Sequence, residues 1–396
     1  MTSLYHQLGH RYNWSIASLQ EENTGKGLII GPRYIERSKV EGMPRSLRTT
    51  SIFDPQFYLP GSSRGKLSTY PFFPEIVSGG FSTEVWGPDF SAQSAEMCLR
   101  FQVECEFECL TMPTRFRAGM PSDFIEAQTS LFVDPFLTAY RNIGSRAPLL
   151  LQLVVTDQMV KDELYRRDLL NWVTGISDLS GVYLIFQHDS RRKQIDDIDF
   201  LLGQLFFVYA LKQAGMKVVV GYLNTEALLL LAAEPDILTM GSYENLRMFN
   251  LAAFESETET QRRGPNARVY VSRLLQWIEH QYIGAIKRVV RNSAEFFDES
   301  QYRVTMFEPT YNWHFTKPEP YRHYFVVFAR QFSRLAGVDR AGRARMLAEE
   351  FQRALREFQN LEERGIVFDR DSSGAHLPAW LTSLNLFEQA IEEGST

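Results

Sequence analysis

The chain is poor in the residues that carry most metal and redox chemistry, with three cysteines and seven histidines among 396 residues. Cys98, Cys105 and Cys109 lie in "CLRFQVECEFEC" with no fourth ligand at zinc-site spacing, and no two histidines have metal-ligand spacing, so no metal is expected. On a helix Cys105 and Cys109 would share a face, with Cys98 seven residues before Cys105, which reads as buried core. The odd count and the absence of a signal peptide point to a reducing, cytoplasmic setting. No apolar run approaches the roughly 20 residues of a membrane span; "LLLLAA" is far too short. The sequence contains no GxGxxG or GxxxxGK[ST] phosphate fingerprint, and no HExxH, GxSxG or CxxC motif, so no cofactor is expected. A net charge of −6 gives no general attraction to nucleic acid or anionic lipid, which leaves only local basic patches for such contacts.

A hydrophobic content of 44% is enough for a large core and excludes a disordered chain. Apolar runs of strand length recur at 27–35, 50–58, 109–116, 148–156, 181–188, 217–223 and 236–241, with an eighth at 302–308. Several are nearly continuous, as in parallel strands buried on both faces. Segments with the 3.6-residue period separate most of them, "KDELYRRDLLNWVTGIS" and "IDDIDFLLGQLFFVYALKQAG" among them. This alternation predicts an α/β fold, a (β/α)8 TIM-like barrel over 1–310. An open doubly wound sheet is the alternative, because no clear helix separates the first two runs. From 311 to 396 only helical patterns follow, a C-terminal helical appendage packed on the barrel.

In such a barrel the working face is at the C-terminal strand ends, which makes strand-end residues a candidate list. Asp54, His188, Asp189 and Glu244 are the acid–base candidates. Asp54 precedes Pro55 and could instead start a turn, and Asp189 could cap a helix. Gln56, Gln187, Asn224, Ser242, Asn245 and Arg247 offer amides, a hydroxyl and a cation to a substrate. The polar cluster Ser242–Arg247 directly after the apolar run 237–240 would then lie on the substrate rim. Ser78, Gly79 and Gly80 form a loop whose backbone can approach a ligand closely, or merely a tight turn. Arg262, Arg263 and Arg268, with Tyr270 and Trp277 behind them, suit a phosphate backbone with stackable bases, or else a solvated loop.

Two segments resemble the tRNA-guanine transglycosylase superfamily of barrels. "VSGGFS" (77–82) is similar to that family's "DSGGFQ" loop, and "VVVGYLNTEALLLLAAEPDILTMG" (218–241) to its strand–"GTPEDLL"–helix–"VDMFD" segment. The resemblance implies a barrel and a base exchange on nucleic acid in which a carboxylate attacks the sugar carbon. Val77 stands where the family motif has aspartate, Thr239 falls at the nucleophile position, and the zinc cysteines have no match. The carboxylate roles would therefore pass to Asp54, Asp189 or Glu244.

Three functions are carried forward. The first is a transglycosylase-like, nucleic-acid-modifying transferase acting on a nucleobase in tRNA or DNA. The second is a catalytically degenerate barrel that binds nucleic acid or protein, and the third an enzyme for an unrelated small molecule. The partners this sequence allows are nucleic acid, a protein docked on the C-terminal helices, or a second copy of the chain; a membrane is not expected.

Overall fold

The computed structural model describes residues 1–58, 65–73, 87–188, 193–254 and 264–394. The strands β1 (Ser3–Gln7), β2 (Gly27–Ile30), β3 (Ile52–Phe53), β4 (Leu110–Met112), β5 (Leu149–Thr156), β6 (Gly181–Gln187), β7 (Lys217–Gly221) and β8 (Ile237–Gly241) form one sheet. Its order is β3-β2-β1-β8-β7-β6-β5-β4, and every pairing is parallel. A parallel bridge between Ile52 and Cys109 links the two ends, so the sheet is a nearly closed TIM-like barrel and not an open layer.

Strand alternation divides the apolar residues into two clusters. On β5, Leu149, Leu151, Leu153 and Val155 face the helices, whereas Leu150 and Val154 join Tyr5, Ile29, Tyr183, Ile185 and Val219 inside the cylinder. Both faces of each strand are covered, which is why these strands read as unbroken apolar runs.

The longer helices are α1 (Tyr12–Glu22), α2 (Pro88–Glu104), α3 (Asp134–Ile143), α4 (Glu163–Thr174), α5 (Ile198–Gln213), α6 (Glu319–Ala336), α7 (Arg340–Glu363) and α8 (Leu377–Glu392). Side-chain carboxylates start several of them. Asp162 accepts from the Leu164 and Tyr165 amides, Asp197 from Phe200 and Asp339 from Gly342. Among the described residues no helix is long and apolar enough to cross a membrane.

Between β7 and β8 stand only the short turns Ala227–Leu230 and Leu231–Ala233, whose residues are all buried. The C-terminal helices cover this part of the barrel. α7 packs on the Leu231–Ala233 turn, α8 on α5, and α6 on α1 and β1. Arg343 pins α7 there by donating to the Leu231 carbonyl at 3.0 Å and pairing with Glu234 at 3.0 Å. An antiparallel hairpin, β9 (Arg268–Val271) and β10 (Gln276–Glu279), packs beside α6.

Three local expectations are corrected. Residues 302–308 are not a strand: Gln301–Met306 is a helix whose first turn is capped by Ser300, its hydroxyl accepting from the Tyr302 amide. The strand missing from the sequence pattern is β1, "SLYHQ", whose polar Ser3 and Gln7 break any apolar run. The cysteines share no helical face, since α2 ends at Glu104 and Cys109 lies in the barrel interior.

A cleft at the barrel rim

Two polar constellations occupy the C-terminal end of the barrel. The first is a cage inside the cylinder around Asp54, which has no solvent exposure. Tyr58 donates to both carboxylate oxygens (2.8 and 2.7 Å), Tyr183 donates at 3.2 Å, and Gln152 Nε2 and the Gln56 amide also donate. Burial raises the Asp54 pKa to about 6, against the pull of these donors. The Gln56 amide bond is also the turn contact that Asp-Pro suggests. Gln56 Nε2 donates to Tyr222 at 3.1 Å, and both residues hold left-handed backbone, φ 57° and 56°. Phe249 and Phe254 close the cage by packing edge-on to Tyr58 at 4.9 and 5.0 Å. Thr239, at the nucleophile position of the resemblance, is buried on β8 with its hydroxyl unpartnered.

The second constellation is a cleft of about 340 Å³ on the rim. His10 and Arg11 reach it from the loop after β1, Tyr243, Glu244, Asn245 and Arg247 from the turn after β8, Arg268 and Trp277 from the hairpin, and Tyr321 from α6. The turn after β8 is shaped by two glycines: a Cβ on Gly9 or on Gly241 would come within 2.6 Å of Leu246. Their absence lets Leu246 tuck into the mouth while Glu244 and Arg247 line the cleft, which accounts for the polar cluster after β8.

Arg247 is 5% exposed. Its guanidinium carbon stacks 3.9 Å from the Trp277 ring centroid and 5.8 Å from that of Tyr324. Its Nε and Nη1 have no hydrogen-bond partner among the described residues. Burial pulls its pKa below the usual arginine range, opposed by Tyr324 and Glu244. Three further buried polar atoms nearby also lack partners among the described residues: Trp277 Nε1, the Tyr324 hydroxyl and Glu226 Oε2. Glu226, in the loop after β7, takes the Asn224 amide on its other oxygen at 2.9 Å. Burial raises its pKa to about 7, and the Arg247 charge works against that rise. Glu244 pairs with Lys193 at 2.6 Å. Its burial favours the protonated form, but Arg247, Lys193 and Arg268 together hold its pKa below the ordinary range.

The structure brings Glu244, Asn245, Arg247 and Arg268 together at this cleft, with Ser242 buried just before them. Arg268 is partly committed elsewhere, to Glu279 at 3.0 Å, the Asp371 carbonyl at 2.8 Å and Ser372 at 3.1 Å, which leaves its Nε. Asn224 donates to the Lys193 carbonyl and Gln194 behind the rim. Asp54 and Gln56 belong to the interior cage, and Gln187 ends β6. His188 is elsewhere: it bonds Asp157 at 2.6 Å and stacks on Phe200 at 4.3 Å. The acid–base candidates Asp54, His188 and Glu244 thus have three separate sets of partners. Asp189, Ser78, Gly79, Gly80, Arg262 and Arg263 lie outside the described residues.

Among the described residues Asp157, His188 and Asp197 could converge on a metal ion, their ligand atoms all within 4.8 Å of one another. Lys161 already occupies the cation position, 3.0 Å from Asp157 and 2.6 Å from Asp197. A metal would have to displace an ammonium that is well paired, so the cluster reads as an ion-pair network.

No protein-family model matches the chain, and a search of the curated proteins finds no match.

Trp277 is expected behind the arginine segment, whereas Glu226, Tyr321 and Tyr324 are not singled out by strand-end reasoning. Glu226 has the pattern of an acid in a helix's first turn, and the aromatic residues come from the hairpin and α6. The one signal for Glu226 is a lone acid ahead of seven apolar residues, 227–233.

Proposed function

We propose that the protein binds an anionic ligand carrying an aromatic base, a nucleotide either free or as one unit of a nucleic acid, in the rim cleft. The observation that carries this reading is Arg247. A buried guanidinium with two nitrogens unpartnered among the described residues is costly unless an anion joins it. Its stacking on Trp277, with Tyr321 and Tyr243 on the same cleft, supplies aromatic faces for a base. Glu244 and Asn245 offer a carboxylate and an amide to base edges.

Binding without base exchange is the preferred form of this reading. The Asp54 carboxylate is saturated by donors and covered by Phe249 and Phe254, and a threonine stands at the nucleophile position.

The test is a titration of nucleoside monophosphates and a short RNA into the intact protein, followed by tryptophan fluorescence or calorimetry. Arg247→Ala is expected to weaken binding by roughly 10- to 150-fold, the worth of a charged hydrogen bond at about 1.5–3 kcal/mol. Unchanged affinity in that variant, or no saturable binding by the wild type, overturns the reading.

A further inference from the structure

Arg247 touches two environments at once. One is the open cleft; the other is a buried cluster made by Glu226, Trp277 and Tyr324. The Tyr324 ring lies 4.7 Å from that of Trp277, and its hydroxyl interacts electrostatically with both Arg247 and Glu226. Every one of these four side chains is at least nine-tenths buried, and each carries a polar atom with no partner among the described residues. Folding seldom leaves that many polar atoms unsatisfied in one place. Their chemistry is also one-sided. The Arg247 Nε–H and Nη1–H and the Trp277 Nε1–H can only donate, and the Tyr324 hydroxyl can donate. Only the Glu226 carboxyl can change sides: ionised it accepts, protonated it donates.

We propose that Arg247, Trp277, Tyr324 and Glu226 form an oxyanion-binding subsite, selective for phosphate- or sulfate-like groups, and that the anion enters together with a proton on Glu226. This rests on the nucleotide-binding reading above; Arg247 and Trp277 line the cleft, and Glu226 and Tyr324 lie behind them. With the subsite empty, Glu226 and Glu244 are both countercharges for Arg247. An entering oxyanion takes over that role and repels the Glu226 charge, so the carboxyl takes a proton from solvent and offers it as a fourth donor. The nucleotide takes no part in any covalent step.

Burial already raises the Glu226 pKa to about 7, so the proton is available near neutrality. The other charged groups do not reproduce this behaviour. Glu244 is held ionised by Arg247, Lys193 and Arg268. Tyr321 and Tyr324 are both pushed far above neutrality by burial. Arg11 and His10 line the outer cleft.

Sulfate is the probe, because it carries the same charge from about pH 5.5 to 8.5, unlike phosphate, whose second pKa is near 6. Calorimetric titration of the intact protein in two buffers of different ionisation enthalpy reads proton uptake directly, without any variant. The expected result is about one proton taken up per sulfate at pH values above 7, and affinity that falls up to tenfold per unit of rising pH in that range. Glu226→Gln should flatten the pH profile of sulfate binding.

Several results overturn the subsite. Uptake of no proton by the wild type does so, as does a Glu226→Gln protein whose pH profile matches wild type. Failure of sulfate to bind, while nucleotide binding remains sensitive to Arg247→Ala, removes the subsite and leaves the cleft reading in place. If neither sulfate nor nucleotide binding responds to Arg247→Ala, the cleft reading fails with it.

Discussion

At the scale of single residues, Asp54 shows how one carboxylate can be central to a barrel without being available for chemistry. Its folded pKa, about 6, is above the 3.8 of an unperturbed aspartate, chiefly because it is buried. A raised carboxyl pKa means the folded state holds the proton more tightly. The resulting stability is fully present below about pH 4 and is lost as pH rises through about 6, by roughly 3 kcal/mol for a shift near two units. Asp54→Asn removes that dependence. Urea unfolding of both proteins at pH 4 and pH 7 should show Asn gaining on wild type by on the order of 3 kcal/mol across the window; a constant difference would contradict it. Asp54→Ala strands Tyr58, Tyr183 and Gln152 as donors and should cost about 3–5 kcal/mol at pH 4 and less at pH 7, where the wild type has itself lost stability through Asp54. Asp54, Glu244 and Arg247 are legible in the sequence because position after a strand marks them. Trp277 is legible only as an aromatic residue behind the arginines, and Glu226 is not legible, because what matters there is an unpaired atom in a buried place, and burial of a polar tip is decided by elements far away in the chain.

The elements themselves follow from simpler rules. β5, β6 and β7 are visible as apolar runs because both of their faces are covered, whereas β1 hides because its inward Gln7 takes part in a polar interior through Tyr183. The helix Gln301–Met306 is the reverse case, a short stretch whose tyrosine, valine and methionine imitate a strand until Ser300 caps it. How closely elements approach is harder to read from pattern, and Gly203 in the middle of α5 illustrates why. By helix propensity alone, Gly203→Ala should stabilise by about 1 kcal/mol. A Cβ there would stand 2.1 Å from the Val160 carbonyl oxygen, and that partner is backbone, which cannot swing aside. Overpacking of this kind costs about 1–3 kcal/mol, so the clash wins and the variant should melt at a lower temperature than wild type. A higher melting temperature would mean that α5 sits farther from Val160 than described.

For the whole molecule, the question is whether the C-terminal helices are an appendage or part of the barrel. The connection from β7 to β8 is too short to supply a full covering helix, and α6, α7 and α8 stand over the strands and helices there. Phe325 of α6 packs edge-on to His6 of β1 at 4.6 Å, and Trp380 of α8, fully buried, donates to the Ile195 carbonyl at 2.8 Å. The cleft depends on the same segment: Tyr321 lines it, and Asp371 and Ser372 hold the Arg268 guanidinium in place. A barrel stripped of these helices would expose apolar surface along β1 and α5, at about 25 cal/mol for each Å² uncovered. A chain ending at residue 310 is therefore expected to lose cooperative thermal unfolding in circular dichroism and to aggregate, while the intact protein unfolds in a single transition. A truncated chain that melted cooperatively near the wild-type temperature would show the barrel to be complete without its C-terminal helices. The rim cleft would then have to be explained by the hairpin and the β1 and β8 loops alone.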